Sequence, residues 1–198
     1  MAATASPYGL KAVNHLGGTP YAGSTRMYPI ASGYANNIYN GSIVSLVAGG
    51  TIVFTAAVGT AAAPFQAGTV GVFVGCTFTD PSTGNVTFRQ NYPTGTVAAD
   101  TLAYVIDDPA VIFQVQANGA VTAADLGQCC SIIAQTTNTG NLTSGNSTTA
   151  ANAATTAAAD AFKIVGFVDS PTSTVGDAFT DLLVKFNPVA HAYTSNAG

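Results

Sequence analysis

The chain of 198 residues contains no glutamate and no tryptophan, and its lysines and arginines number only five. Charged side chains make up 7% of the sequence, against roughly 25% in an ordinary soluble protein. The absence of glutamate excludes zinc sites of the H-E-x-x-H kind and removes the usual residue of helix faces. The nine acidic residues are all aspartate, a residue of turns and caps. With a net charge of −4 and five scattered cations, Lys11, Arg26, Arg89, Lys163 and Lys185, the chain lacks the basic cluster that phosphate backbones require. No nucleic-acid partner is expected.

Long apolar runs are missing as well. The most apolar stretch, Thr51 to Cys76, is broken repeatedly by Gly, Thr, Pro and Gln, whereas a spanning helix needs about 20 predominantly apolar residues. No membrane segment is expected. The opening MAATASPYGLKAVNH has neither the charged start nor the apolar centre of a secretory signal, so use without Sec export is expected. The three cysteines form no C-x-x-C and no zinc knuckle. Cys76 reads as a small buried hydrophobe, and adjacent Cys129 and Cys130 point to opposite faces if extended. Ala, Gly, Thr and Asn stand where a charged surface would be, which suits a protein that works assembled.

What the sequence does have is short alternating segments between turn residues. Arg26–Ile30, Ile43–Val47, Thr51–Thr55, Val86–Asn91, Lys163–Val168 and Leu182–Phe186 read as strands. The clearest follows Gly68, where Val70, Val72, Val74, Cys76 and Phe78 are expected on one face. Gly71, Phe73, Gly75 and Thr77 fall on the other, and the small residues among them suggest a bend or a close neighbouring backbone. Residues 97–134 form the organising stretch: alternation at Leu102, Tyr104, Ile106 and again at Val111, Phe113, Val115, joined by an Asp107-Asp108-Pro109 corner. Thr122 can cap a short helix from Ala123 to Leu126 that Gly127 stops. The whole predicts one mainly β domain, a small barrel or sandwich with one short helix.

Two segments stand apart. Residues 1–25 are rich in turns yet carry Tyr8, Leu10, Val13, Leu16 and Tyr21, which suits either a coil packed on its own domain or an extended arm docking on a neighbouring subunit. Residues 26–198 then form the β domain. Within it, residues 135–161 are almost entirely Thr, Asn, Ser, Gly and Ala and read as a long polar flap. The sequons at Asn141 and Asn146 are taken as chance matches. Tyr28, Tyr34 and Tyr39 lie in Gly- and Asn-rich surroundings and are candidate contacts between subunits, with a place at the edge of the domain as the simpler reading.

The chemical inventory is thin. His15 and His191 sit in opposite terminal segments, and Asp107-Asp108 is the only acidic pair. Neighbours in an extended chain point apart, so a turn is its expected role rather than paired acid–base work. Nucleophile elbow, P-loop, dinucleotide and calcium-loop patterns are absent from the sequence. No catalytic residue, metal or cofactor is expected.

Several segments occur in an order that resembles structural proteins of tailed bacteriophages, chiefly marine and cyanobacterial ones. They are SPYGLKAV from Ser6, TRMYPIASGYA from Thr25, YNGSIVSL from Tyr39, GTVGVFVGC from Gly68 and AYVIDDPAVIFQVQ from Ala103. ADLGQCCSIIA from Ala124, FKIVGFVDSP from Phe162 and GDAFTDLLVKFNPVAH from Gly176 complete the set. The resemblance covers nearly the whole chain and rests on the order of the segments. It implies a head decoration, or cement, protein on the capsid exterior, made in the host cytoplasm. Such a protein bridges major capsid subunits, often as a homotrimer, through a small β-tulip-like domain. An N-terminal arm (Pro7, Tyr8, Leu10, Val13) would lie on the shell, and the flap would lie between copies or project outward. The alternatives are a tail or fibre protein of the virion and a non-viral bacterial surface or adhesive protein.

Overall fold

The computed structural model describes residues 4–60, 62–65, 68–133, 140–155 and 157–194. Its elements are β1 (Lys11–His15), β2 (Arg26–Pro29), β3 (Ile43–Leu46), β4 (Ile52–Phe54), β5 (Thr69–Thr79) and β6 (Val86–Arg89). These are followed by β7 (Leu102–Ile106), β8 (Val111–Gln116), β9 (Cys129–Cys130), β10 (Phe162–Phe167) and β11 (Asp181–Phe186). Two antiparallel sheets result. One runs β1-β8-β11-β10-β9; the other runs β2-β7-β5-β3-β4, with β6 also paired to β5. The sheets do not close into a barrel, so the architecture is a sandwich.

The chain leaves the five-stranded sheet after β1 and returns to it at the Asp107-Asp108-Pro109 corner, because β7 belongs to the six-stranded sheet and β8 to the five-stranded one. The core between the sheets takes Ile43, Val72 and Ile106 from one side, and Phe113, Val115, Ile164, Leu182, Val184 and Phe186 from the other. A second cluster covers the opposite face of the six-stranded sheet. There Ile38, Tyr92 and Ala98, from the connections before β3 and β7, pack on Val44, Phe73, Cys76, Ala103 and Val105. The inner strands of this sheet therefore show their alternation as two buried faces, as with Val105 and Ile106 of β7, whereas β2 and β6 stay largely exposed.

The expected single apolar face of β5 is not what forms. Val70, Phe73, Cys76 and Phe78 join the second cluster, whereas Val72 joins the core between the sheets. Two extra residues on β5, Val70 opposite the Val44–Ser45 step of β3 and Val74 opposite the Tyr104–Val105 step of β7, each shift the side-chain phase. The close neighbouring backbone that the glycines suggested is present: a Cβ on Gly71 would collide with the Ile106 carbonyl oxygen.

The short helix is a single 3₁₀ turn, Ala123–Asp125. Thr122 donates its N–H (2.7 Å) and hydroxyl (2.9 Å) to the Asp125 carboxylate, so the acid supplies the cap. A second 3₁₀ turn, Pro188–Ala190, interrupts the expected tail.

Candidate functional site

Residues 4–15 lie along the domain rather than away from it. The Ser6 N–H donates to Gln116 Oε1 (2.7 Å), the Tyr8 hydroxyl to Asp181 Oδ1 (3.0 Å) and the Leu10 N–H to the Gly41 carbonyl (3.0 Å). Lys11–His15 then continues as an edge strand on β8. Leu10 is 2% exposed and belongs to the core between the sheets. Pro7 and Tyr8 are half-buried. Burial, with Asp181 close by, pushes the Tyr8 phenol well above its ordinary range. Of the four residues expected to line a docking arm, Val13 alone is open, at 40% exposure. In the single chain this segment packs on its own domain, where buried apolar surface at Leu10 and ladder bonds to β8 hold it.

The tyrosines are also internal. Tyr39 and Tyr28 are buried, and Tyr34 is half-buried. Tyr34 accepts the Phe54 N–H (2.9 Å) and so anchors its loop to β4. Tyr28 joins a polar knot at the sheet-crossing corner. Its hydroxyl donates to Asp107 Oδ2 (2.9 Å) and lies 2.6 Å from the Tyr193 hydroxyl. Arg26 Nε is 3.0 Å from the same carboxylate, with its guanidinium 5.6 Å from the Tyr193 ring. The Asp107 charge raises the Arg26 pKa, while burial chiefly raises that of Tyr28. Next to it, His15 Nδ1 lies 3.3 Å from Asp108 Oδ2, and Asp108 Oδ1 accepts the Ala110 N–H (2.8 Å).

This knot ties β2, the corner and the C-terminal segment together. It brings Asp107 and Tyr193 to one place, a pairing that no spacing in the sequence signals. His191 is 1% exposed, its ring 5.2 Å from Phe186 and its Nδ1 accepting the Tyr193 N–H (3.3 Å). Burial lowers its pKa below the ordinary histidine value. The chemistry available at the knot is that of a saturated ion-pair and hydrogen-bond network, with the Asp107 carboxylate held by Arg26 and Tyr28.

Cys76 and Cys130 are fully buried and burial pushes both thiols up to about 12, so they are protonated and unreactive at neutral pH. Among the described residues no group of three His, Cys or Asp side chains could hold a metal. No described helix is long and apolar enough to cross a membrane.

The residues expected to form a flap are woven into the molecule where they are described; 135–139 and 156 lie outside the described residues. Ala151 bridges to both Ala117 and Ile132, and Asn146 bridges to Asn40. Ser147, Thr149, Ala150 and Ala151 are buried, while Leu142 is 64% exposed at a turn. Small side chains permit this close approach, and hydroxyls and amides satisfy the buried backbone: Asn152 donates to the Ile132 carbonyl at 2.8 Å.

A cleft of about 500 Å³ lies between the N-terminal segment and this strap, lined by Tyr8, Lys11, Asn40, Gln90, Gln114 and Asn146. Its amides already serve the fold: Asn40 donates to the Val74 carbonyl (3.0 Å), Gln90 to Asn146 (2.8 Å) and Gln114 to Asp181 (3.1 Å). Comparison with known proteins returned no matching family model, no matching curated protein and no matching solved structure.

Proposed function

We propose that the protein is a structural component of a tailed-phage virion, a decoration protein that binds the head exterior and bridges major capsid subunits, with homotrimers as its unit on the shell. The observation that carries this reading is the ordered set of segments, from SPYGLKAV at Ser6 to GDAFTDLLVKFNPVAH at Gly176, spanning nearly the whole chain. A sandwich with 7% charged residues and exposed apolar side chains suits a protein that spends its life in contact with others. A shell also gains stability from many weak contacts engaged together.

With Leu10 in the core, the surface available for docking is the open side of the N-terminal segment, where Val13 and Leu16 are 40% and 54% exposed. Purified protein mixed with heads that lack it is expected to sediment with them. A Val13→Asp, Leu16→Asp double variant with unchanged far-UV circular dichroism is expected to bind at least tenfold more weakly. Failure of the unaltered protein to sediment with heads contradicts the reading.

A further inference from the structure

The face of the six-stranded sheet that is core at one end is open at the other. Along β7, Ile106 lies in the core between the sheets, Tyr104 is half-buried and Leu102 is 37% exposed. Strand pairing widens this face: Met27 lies beside Tyr104, Pro29 and Thr77 beside Leu102, and Phe88 beside Thr77. Val86, Phe88 and Met27 are 77%, 62% and 57% exposed. Phe88 rests on the sheet, its ring 6.0 Å from that of Tyr104 and above Gly75, where a Cβ would come within 2.7 Å of it. The exposed apolar area is on the order of 400 Å², as large as the largest patch an ordinary monomer carries.

At the border of this patch runs an unprotected edge. Among the described residues β6 pairs with β5 alone. Edge strands are normally guarded by proline, bulges or inward charges. Val86–Arg89 has one charge, at its end. We propose that this edge and face form an interface between two copies of the chain, with β6 pairing antiparallel to β6 of the second copy about a two-fold axis at Thr87.

The strand is self-complementary in that register. A two-fold axis perpendicular to the sheet sets Thr87 against Thr87, Val86 against Phe88 twice, and Asn85 against Arg89 twice. Thr–Thr pairs and pairs of aromatic with β-branched residues are the favourable cross-strand combinations, and no like charges oppose one another. Arg89, which has no ion pair among the described residues, is directed at the turn of the other copy. Asp80 sits in that turn, its N–H bonded to the Asn85 carbonyl at 2.9 Å. The continued sheet adds edge hydrogen bonds to the apolar contact, toward the ~800 Å² that each partner of a standard interface contributes. A two-fold contact leaves other surfaces free for a three-fold one, and the inference stands whatever the protein does.

The test is the mass of the full chain in solution by sedimentation velocity across micromolar concentrations, read with three variants. The account expects a dimer, or an even multiple of it. Phe88→Asp is expected to halve the mass while leaving thermal stability nearly unchanged, since the side chain is 62% exposed. Arg89→Asp is expected to weaken association at least tenfold, and adding Asp80→Arg to restore it. Leu126→Asp, at an exposed site just before β9 on the edge of the other sheet, is expected to change nothing. A monomer at every concentration overturns the proposal, as does an oligomer that Phe88→Asp leaves intact.

Discussion

Gly9, Gly41 and Ser147 meet where three segments cross: the N-terminal segment, the connection into β3 and the strap that follows β9. A Cβ on Gly41 would lie 2.9 Å from the Leu10 nitrogen and 3.0 Å from the Gly9 Cα, and Gly41 has φ +84°. Backbone faces backbone there, so nothing can rotate away. Gly41→Ala is expected to destabilise by about 2 kcal/mol or more, lowering the melting temperature by roughly 5 °C for a chain of this size. Gly49→Ala, with open space around it and no positive φ, is expected to be neutral within about 0.5 kcal/mol. Differential scanning calorimetry on the pair checks both.

His191 gives the residue scale its pH dependence. Its folded pKa lies below the unfolded value of 6.5 because burial disfavours the charged ring. The unfolded chain thus binds the proton more readily, and stability falls as pH drops below about 6.5 until the lowered folded value is passed. His191→Gln is expected to flatten that part of the stability profile in urea titrations. An unchanged slope between pH 6.5 and 5 contradicts the assignment.

At the scale of the element, most strands were legible because residues alternate between turn residues, as at Leu102–Ile106 and Val111–Gln116. β1 was not, because Lys11–His15 contains a bulge between Ala12 and Asn14 and its partner β8 lies about 100 residues away. The faces of β5 are not legible for the same reason, since the extra residues Val70 and Val74 each shift every side chain beyond them. The strap of residues 140–155 read as a solvated loop because it has no large apolar residue except exposed Leu142. It is held instead by small side chains fitted between larger elements. Deleting residues 1–20 removes β1 and the buried Leu10. Loss of the leucine alone costs about 2–5 kcal/mol. The deletion is expected to lower the melting temperature by 10 °C or more, or to prevent folding. An unchanged melting temperature would mean the segment is dispensable to the fold.

For the whole molecule, composition and turn placement made a mainly β domain legible, but sheet partners were not. The pairings β1 with β8 and β8 with β11 depend on distant segments. The candidate contact residues show the same limit. The surroundings of Tyr28 in the sequence suit either a contact or a place at the domain edge, and they do not signal its hydroxyl partners, Asp107 and Tyr193, which lie 79 and 165 positions further along. The most open aromatic among the described residues, Phe88, sits in an ordinary alternating strand. Its exposure follows from how far the six-stranded sheet extends past the core between the sheets, a property of the assembled sandwich.

The central claim, a decoration protein of the phage head, is tested most directly by the number of copies per purified virion, measured by quantitative mass spectrometry against the major capsid protein. The account expects hundreds of copies, near one for each capsid subunit. A few copies to a few dozen would place the protein in the tail or fibres, and absence from the particle would contradict the virion reading altogether.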